Sequence, residues 1–404
     1  MIPVAEASAR IIAAMPLMPA EQVGVGQALG RVLAADIASR LTQPPVDVSA
    51  MDGYAVRQAD VTSLPATLEI AGEAPAGGTA ADGLQPGQAV RIFTGGPVPA
   101  GADTIVLQED VDTDGAAVTV REAPAAGHFI RAAGLDFRAG EVRLHVGRVL
   151  TARDIGLAAA MDHPWLPVRR RPRVAILSTG DEIVMPGEPR GATQIVSSNN
   201  LSLAAFVTAW GGEPVSLGIA PDSRDALAGM AAAAKGADLL LTSGGASVGD
   251  RDLVRQVLGE SGMTLDFWRI AMRPGKPLLF GDLNGVPVLG LPGNPVSSLV
   301  CAMVFLRPAL EAMLGVDRRA EPPVTAKLAI DLAENDKRQD YLRARRETNG
   351  QGEVVVTPFD KQDSSMLAVL AEADCLVVRP PHAAAAAAGE RVQVIPLEGG
   401  LMGV

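Results

Sequence analysis

Apolar and polar positions alternate through the middle of the chain in a pattern that predicts short buried strands separated by helices. Strands are predicted at VAILSTG (174–180), PVSLGIAPD (214–222) and LLLTS (239–243), and within 267–281 and 285–293. Helices are predicted at 199–212, at 223–236, from about Leu253 onward, and at 294–315. Strands that alternate with helices predict a mostly parallel sheet covered on both faces.

The flanking regions follow other patterns. Residues 3–42 carry apolar positions at helical spacing and are predicted to be helical, and this pattern returns at TARDIGLAAAM (151–161). Between them, residues 46–139 are rich in Gly, Pro and Thr and contain short alternating runs typical of a small β domain. Residues 316–404 contain several further short strands, which predict a β-barrel or sandwich.

A chain of 404 residues is too long for one compact core, so several domains are expected. The predicted class is multidomain α/β plus β, with a central three-layer α/β/α domain. We assign residues 1–43 and 140–168 to a helical platform, 44–139 to an inserted β-rich domain, 169–317 to the α/β domain and 318–404 to a small C-terminal β-barrel domain.

Composition excludes several functional classes. The net charge of −11 argues against a general nucleic-acid binder. Cys301 and Cys375 lie in apolar runs, which indicates core thiols and no disulfide framework. The sequence shows no signal peptide and no apolar run of about 18 residues, so we expect a cytoplasmic protein with no membrane association. No His stands in a catalytic setting, which disfavours hydrolase triads and zinc chemistry.

Five polar clusters follow predicted strands of the α/β domain. They are STGDE (178–182), Asp222, SGGASVGDRD (243–252), RPGKP (273–277) and LPGNPVSS (291–298). Ligands of such sheets bind at the carboxyl ends of the strands. The coincidence of five clusters at one edge therefore predicts a binding site there.

The chemistry of this edge is mixed. Its carboxylates are Asp181, Glu182, Asp222, Asp250 and Asp252, and its cations are Arg273 and Lys276. Its neutral donors are the glycine amides and Ser243, Ser247, Ser297 and Ser298. Carboxylates around an anionic ligand would repel it unless a divalent cation lies between them, and Mg²⁺ prefers such oxygen ligands. We therefore predict a phosphate-bearing ligand with Mg²⁺. The alternative for Asp222, and for Asp250 or Asp252, is that each only caps a helix.

Three segments outside this domain combine rigid turns with acidic residues: PPVDVSAMDGYAVR (44–57), FTGGPVPAGADTIVLQED (93–110) and RAAGLDFRAG (131–140). The first two of these, followed in order by LSTGDE, SGGASVGD, RPGKP and LPGNPVSS, give a sequence that resembles the molybdopterin molybdenumtransferase family over nearly its whole length. That family includes the E domain of gephyrin.

The resemblance implies an enzyme that inserts molybdate into adenylylated molybdopterin with Mg²⁺ and releases AMP. It also implies an α/β domain that binds molybdopterin and a homodimer in which the β insertion of one subunit contributes to the cleft of the other. Small-molecule substrates are the expected partners, together with the molybdopterin adenylyltransferase and proteins of molybdoenzyme maturation.

The resemblance also carries residue roles. It places Asp52, Thr94 and Asp136 in the contribution of the insertion, Glu182, Asp222 and Asp252 among the acidic residues of the cleft, and Arg273, Lys276 and Ser297 beside molybdate. The residues expected to bind the cofactor precursor are Thr179, Gly180, Asp181, Ser243, Gly244, Gly245, Ser247, Pro292, Gly293, Asn294 and Ser297. Arg343, Ser364 and Ser365 are expected near the oxyanion, and Asp222, Asp250 and Asp252 at the metal.

The chain departs from the family pattern at three positions. Val46 and Val48 stand where Phe and Asn are usual, and Arg273 stands where Lys is usual. Arginine keeps the charge but presents a planar fork, so oxyanion selectivity is open and tungstate is an alternative substrate. Two other functions remain as alternatives: a non-catalytic scaffold that binds molybdopterin, and a nucleotide hydrolase on the same fold.

Overall fold

The fold is described from a computed structural model, for residues 1–79, 83–244, 253–317 and 324–401. The chain divides into two compact units. The larger unit comprises Met1–Ala35, Val146–Ile155 and Trp165–Val404, and the smaller comprises Asp36–His145 and Gly156–Pro164.

A six-stranded sheet forms the centre of the larger unit. Its strands are β1 Arg173–Thr179, β2 Glu213–Ala220, β3 Leu239–Ser243, β4 Met263–Arg269, β5 Pro277–Leu283 and β6 Val286–Leu291, in the order β2-β1-β3-β6-β5-β4. The pairs β2–β1, β1–β3 and β3–β6 are parallel, as predicted. β5 pairs antiparallel with β6 because a turn at Asn284–Gly285 joins them and leaves no room for a crossover helix.

Helices cover both faces of this sheet. They are α1 Asn199–Ala209, α2 Arg224–Ala232, α3 Leu253–Glu260 and α4 Pro295–Cys301. Successive side chains of β3 point to opposite faces, so Leu241 packs in one core cluster with Leu203 of α1, and Leu240 in another with Leu227 of α2. The predicted α/β/α layering is confirmed.

The helix that begins with α4 is the longest in the described residues. It continues through a π-helical turn, Ala302–Leu306, and a further α-helix, Arg307–Leu314. By length and composition Pro295–Leu314 could cross a membrane, but it contains Arg307 and Glu311, and 72% of its apolar window is buried inside the protein. Such burial is typical of a core helix in a soluble protein.

The helical prediction for residues 3–42 is correct only at its start. A helix spans Val4–Ala14, after which Ala20–Gly24 forms a strand paired antiparallel with Trp165–Arg169. Pro16 and Pro19 separate the two elements, and proline cannot continue a helix because its nitrogen has no hydrogen to donate. The helix predicted at 151–161 is observed at Ala152–Ala160.

The C-terminal part of the larger unit is a closed five-stranded barrel. Its strands, in order around the barrel, are Gln339–Thr348, Val354–Pro358, Thr325–Leu328, Arg391–Pro396 and Cys375–Arg379, and the last pairs with the first. Small and branched side chains such as Ala344, Val356 and Val394 fill its interior. The prediction of a β-barrel, rather than a sandwich, is confirmed.

The smaller unit contains its own six-stranded sheet. The strand order is Thr104–Leu107, Gly53–Val56, Gln88–Ile92, Ala66–Ala74, Ala117–Val120 and Val111–Thr113. All neighbours pair antiparallel except Ala66–Ala74 with Gln88–Ile92. Short two-residue pairings join Val48–Ser49 to Ile130–Arg131, and Ile37–Ala38 to the strand Val142–Leu144.

Candidate functional site

Buried hydroxyl groups concentrate at the carboxyl ends of β1 and β3. Ser178, Thr179, Thr242 and Ser243 are all buried there, at the ends of strands that are otherwise apolar. Within the described ranges, the side-chain oxygens of Ser178, Thr179 and Thr242 have no hydrogen-bond partner. A buried polar atom left unpaired costs about 1–3 kcal/mol. The unpaired hydroxyls therefore mark the carboxyl edge of the sheet as the polar site of this unit.

Glycine is required where the segments at this edge meet. Gly244 follows β3 with a φ of +91°, and a Cβ atom built on it would lie 2.6 Å from the Thr179 carbonyl oxygen. A Cβ atom on Gly293 would lie 3.5 Å from the Cα atom of Gly244. The ends of β1, β3 and β6 thus converge with main chain against main chain, which leaves backbone groups close to any ligand at this edge.

Asn199, the first residue of α1, links two of these segments. Its side-chain amide donates to Ser243 Oγ at 2.8 Å and to the Gly293 carbonyl at 2.8 Å. The sequence predicted Asn199 only as part of a helix start. The signal was the pair Asn199–Asn200 before an apolar helix, but its partners lie 44 and 94 residues further along the chain, beyond the reach of a local pattern.

Two carboxylates line a cavity beside the hydroxyl groups. The cavity has a volume of about 420 Å³, and Glu182 and Asp222 contribute to its wall together with Thr179 and Gly180. The carboxylate of Asp181 accepts a hydrogen bond from the Asp222 backbone at 3.0 Å and so holds the chain at Asp222 in place.

The helix-cap alternative for Asp222 fails. The N-cap of α2 is Ser223, whose Oγ accepts from the Ala226 amide at 3.3 Å. Asp222 precedes the cap and is exposed. Asp222 lines the cavity without capping the helix.

The donor set at this cavity is of the kind that Mg²⁺ takes. Glu182 and Asp222 carry carboxylate oxygens at its wall, while the Thr179 hydroxyl beside them is buried. In the part of the chain that the structure describes, no three His, Cys, Asp or Glu side chains are grouped to hold a metal. The predicted residues Gly245, Ser247, Asp250 and Asp252 lie outside the described residues.

The two predicted cations of the RPGKP loop have different surroundings. The Arg273 guanidinium donates from Nε to both carboxylate oxygens of Asp340, at 2.9 and 3.0 Å, and a second nitrogen also bonds this carboxylate. The hydrogen bond to Asp340 raises the pKa of Arg273. Lys276 is half-buried, and none of the described carboxylates forms an ion pair with it. Lys276 is the cation of this loop that is available to an anion.

The RPGKP loop rests directly on α4. Gly275 has a φ of +109°, and a Cβ atom on it would lie 2.5 Å from the sulfur of Cys301. Burial raises the pKa of the Cys301 thiol far above neutral pH, so this sulfur remains a protonated packing group. Both cysteines are buried and free, as predicted.

A loop of the barrel that carries Ser364 meets the start of α4. Asn294 donates from its side-chain amide to Ser364 Oγ at 2.7 Å, and the Val296 amide donates to the Ser364 carbonyl at 3.2 Å. Ser365 instead donates from Oγ to Asp363 at 2.6 Å. Pro292 and Ser297 are buried on the same stretch, with Ser297 in the first turn of α4.

Arg343 is buried beneath this barrel loop and forms hydrogen bonds with it. Its side chain is 1% exposed and donates to Gln362 Oε1 at 3.2 Å and to the Met366 carbonyl at 3.2 Å. Burial lowers the pKa of Arg343. The structure therefore places Arg343 under the loop that bears Ser364 and Ser365, where it shapes the loop through hydrogen bonds.

In the smaller unit, Asp52 and Thr94 form a pair. The Asp52 carboxylate accepts from the Thr94 amide at 2.7 Å and from Thr94 Oγ1 at 2.8 Å, and these bonds lower the pKa of Asp52. The Arg91 guanidinium lies 5.0 Å from the ring centre of Tyr54 and 5.1 Å from that of Phe93. Arg91 also donates to the Gly53 carbonyl at 3.1 Å, so it contacts the residues next to both members of the pair.

Asp136 lies elsewhere in this smaller unit. Its backbone amide donates to the Gln43 carbonyl at 3.1 Å, and its carbonyl accepts from Arg143. Across the described residues, its carboxylate has no hydrogen bond to Asp52 or Thr94. The fold therefore joins Asp52 with Thr94 and leaves the Asp136 carboxylate outside that pair.

The fold and the site define a class: a multidomain protein whose three-layer domain has buried hydroxyl groups and a cavity with two acidic residues at the carboxyl edge of its sheet. Three family models match the chain: the MoeA N-terminal region (domains I and II) at residues 2–161, a probable molybdopterin binding domain at 175–312, and the MoeA C-terminal region (domain IV) at 325–397.

Named relatives are similar over most of their length. The molybdopterin molybdenumtransferase of Nostoc sp. is 41% identical over 80% of this chain and 76% of its own, and that of Haemophilus influenzae 35% over 93% of each. The crystal structure of the molybdopterin biosynthesis MoeA protein from Pyrococcus horikoshii OT3 matches with a TM-score of 0.85 at 28% identity, over 98% of this chain and 99% of that one. The chain belongs to the molybdopterin molybdenumtransferase family of enzymes, which confirms the resemblance.

Proposed function

We propose that this chain inserts molybdate into adenylylated molybdopterin and releases AMP in a reaction that depends on Mg²⁺. The observation that supports this most is the carboxyl edge of the sheet, where unpaired buried hydroxyls stand beside the cavity of Glu182 and Asp222. A ligand with phosphates and a polar ring system could use the hydroxyls and backbone amides as donors. The carboxylates would need a cation between them and that ligand.

The proposed roles of the site residues follow from their charges. Gly244, Gly293 and Ser243 would place backbone and hydroxyl groups against the pterin phosphate, since their chains approach without side chains between them. Lys276 and Ser297 would hold molybdate, a tetrahedral dianion that suits ammonium and hydroxyl donors. When bound, Mg²⁺ would neutralise charge on the phosphoanhydride. Glu182 and Asp222 would supply its protein oxygens, together with Asp250 and Asp252.

Asp52, Thr94 and Asp136 enter the proposal through the family resemblance. Asp52 is ionised at neutral pH, and two hydrogen bonds from Thr94 lower its pKa below the ordinary value of a carboxyl group. A fixed anion of this kind suits a role in orienting water or metal. We also propose a cytoplasmic homodimer that receives its substrate from a molybdopterin adenylyltransferase and passes product to molybdoenzyme maturation proteins. Sedimentation velocity would test the dimer.

The test of the proposed function is AMP release from adenylylated molybdopterin with Mg²⁺, with and without molybdate. Release that requires molybdate supports the transferase. Release that ignores molybdate would favour the nucleotide hydrolase, and tight binding without turnover would favour the scaffold. Tungstate in place of molybdate measures the selectivity for the oxyanion.

Replacing either cavity carboxylate by its amide, Glu182→Gln or Asp222→Asn, is expected to raise the Mg²⁺ concentration needed for half-maximal turnover about tenfold or more. An amide keeps the shape but loses the charge that attracts the ion, and tenfold corresponds to about 1.4 kcal/mol. Titration with Mn²⁺, followed by electron paramagnetic resonance, measures the metal affinity of the same site without turnover.

Glu213→Gln is the matched control for these variants. Glu213 is exposed at the amino end of β2, on the opposite edge of the sheet, so its loss changes the net charge equally without touching the cavity. Wild-type affinity for the metal in both Glu182→Gln and Asp222→Asn would remove these carboxylates from the proposed metal site.

A further inference from the structure

Arg273 is locked to the barrel by an ion pair that occupies one edge of its guanidinium. Its Nε atom and one terminal nitrogen bond the Asp340 carboxylate, and the other terminal nitrogen lies 3.6 Å from Asp336. The Asp340 side chain is only 8% exposed, whereas that of Arg273 is 47% exposed. The charge of Arg273 is thus compensated by two carboxylates, one of them buried.

The backbone fixes this pairing. Met272–Arg273 forms a short strand parallel to Gln339–Thr348, with Arg273 directly opposite Asp340 in the register. A planar guanidinium can form two parallel bonds to a carboxylate, while a lysine ammonium acts as a point charge and cannot. Arginine, in place of the lysine usual in the family, is therefore the residue type that this carboxylate can hold most firmly.

Lys276, three residues further on, differs from Arg273 in having no carboxylate partner among the described residues. It lies on the same loop, is half-buried, and forms no ion pair with any carboxylate of the described residues. An anion that approaches this loop therefore meets one available positive charge. To use Arg273 as well, it would have to take the guanidinium from Asp340 and leave a buried carboxylate unpaired.

We propose that Asp340 is a positioning residue that withholds Arg273 from the substrate oxyanion, so that Lys276 carries the electrostatic part of oxyanion binding on this loop. This inference rests on the proposed function. The protein then binds a dianion such as molybdate less tightly than it would if both Arg273 and Lys276 were free to contact it. Asp340 acts through Arg273 and does not touch the substrate.

The test is the affinity of the purified full-length chain for molybdate, measured by equilibrium dialysis at low ionic strength. Asp340→Asn keeps the size of the side chain and removes the buried carboxylate, which leaves only the partly exposed Asp336 beside the guanidinium, so binding is expected to tighten about five- to tenfold. The double variant Arg273→Met with Asp340→Asn is expected to return to within about twofold of the wild type, since the freed charge is then absent. Arg273→Lys, which keeps Asp340, is expected to tighten binding by less than Asp340→Asn does, because the ammonium still pairs with Asp340 but lacks the two parallel bonds of the guanidinium.

Two results would overturn the role of Asp340. One is an Asp340→Asn variant, folded by circular dichroism, that binds molybdate no more tightly than the wild type. The other is a double variant that keeps the tighter binding, since the gain would then come from the lost carboxylate alone. If Asp340→Asn does not fold, Arg273→Lys decides: unchanged affinity overturns the inference. Absence of molybdate binding in the wild type and every variant would instead count against the proposed function itself.

Discussion

Gly244→Ala is expected to remove most binding of adenylylated molybdopterin and to lower the stability of the larger unit. The new Cβ atom would lie 2.6 Å from the Thr179 carbonyl oxygen, at a φ of +91° that alanine rarely adopts. Backbone strain of this kind costs about 1–3 kcal/mol, and relief would require the end of β3 to move away from β1. That movement would disrupt the contact between Gly244 and Gly293 and displace Ser243 from Asn199.

Gly229→Ala is the control for this change. Gly229 lies within α2, has no positive φ, and a Cβ atom there would meet nothing within 4 Å. Alanine in a helix is favoured over glycine by about 0.5–1 kcal/mol, so this variant should be slightly stabilised and bind normally. Thermal unfolding and calorimetric titration measure both effects. Unchanged ligand affinity in Gly244→Ala would show that the β3 end does not form the ligand cradle.

Lys276→Met is expected to weaken molybdate binding about 10- to 100-fold with the fold intact. A hydrogen bond to a charged group contributes about 1.5–3 kcal/mol, and methionine keeps the length of the stem without the ammonium. Since Lys276 has no carboxylate partner in the described residues, its removal should leave no buried charge unpaired. Stability should therefore change far less than affinity.

Lys235→Met serves as the charge-matched control. Lys235 is exposed in the turn between α2 and β3, at the amino edge of the sheet. Its substitution therefore removes one positive charge far from the carboxyl edge. Equilibrium dialysis at two salt concentrations separates a local contact from a general field effect. An equal loss of molybdate affinity in both variants would assign the effect of Lys276 to net charge alone.

The sequence predicted most of the α/β domain because its strands and helices have strong local signals. Runs such as VAIL and LLLTS can be buried on both faces of a sheet, and each is followed by a glycine-containing turn. The N-terminal region was harder. Ala28, Leu29, Val32 and Leu33 have helical spacing, but the structure uses Val32 and Leu33 in bridges to Val149 and Val168, which are more than 100 residues away.

The site was predicted at the level of segments rather than partners. Turns such as SGG and PGN identified the carboxyl edge, because a glycine directly after a strand indicates a tight turn, and this signal is visible in the local sequence. Arg273 was expected beside the oxyanion, and the structure pairs it with Asp340, 67 residues later. Asn199 escaped notice for the same reason. A side chain's partner depends on the tertiary fold, and one sequence alone does not specify it.

The stoichiometry of the reaction tests the central proposal most directly. Purified protein, Mg²⁺, molybdate and a limiting amount of adenylylated molybdopterin would be mixed, and both the AMP released and the molybdenum retained by the pterin would be measured in the same samples. The proposal predicts equal amounts of the two, and neither when molybdate is omitted. AMP formed without molybdate, or without transfer of molybdenum to the pterin, would contradict it.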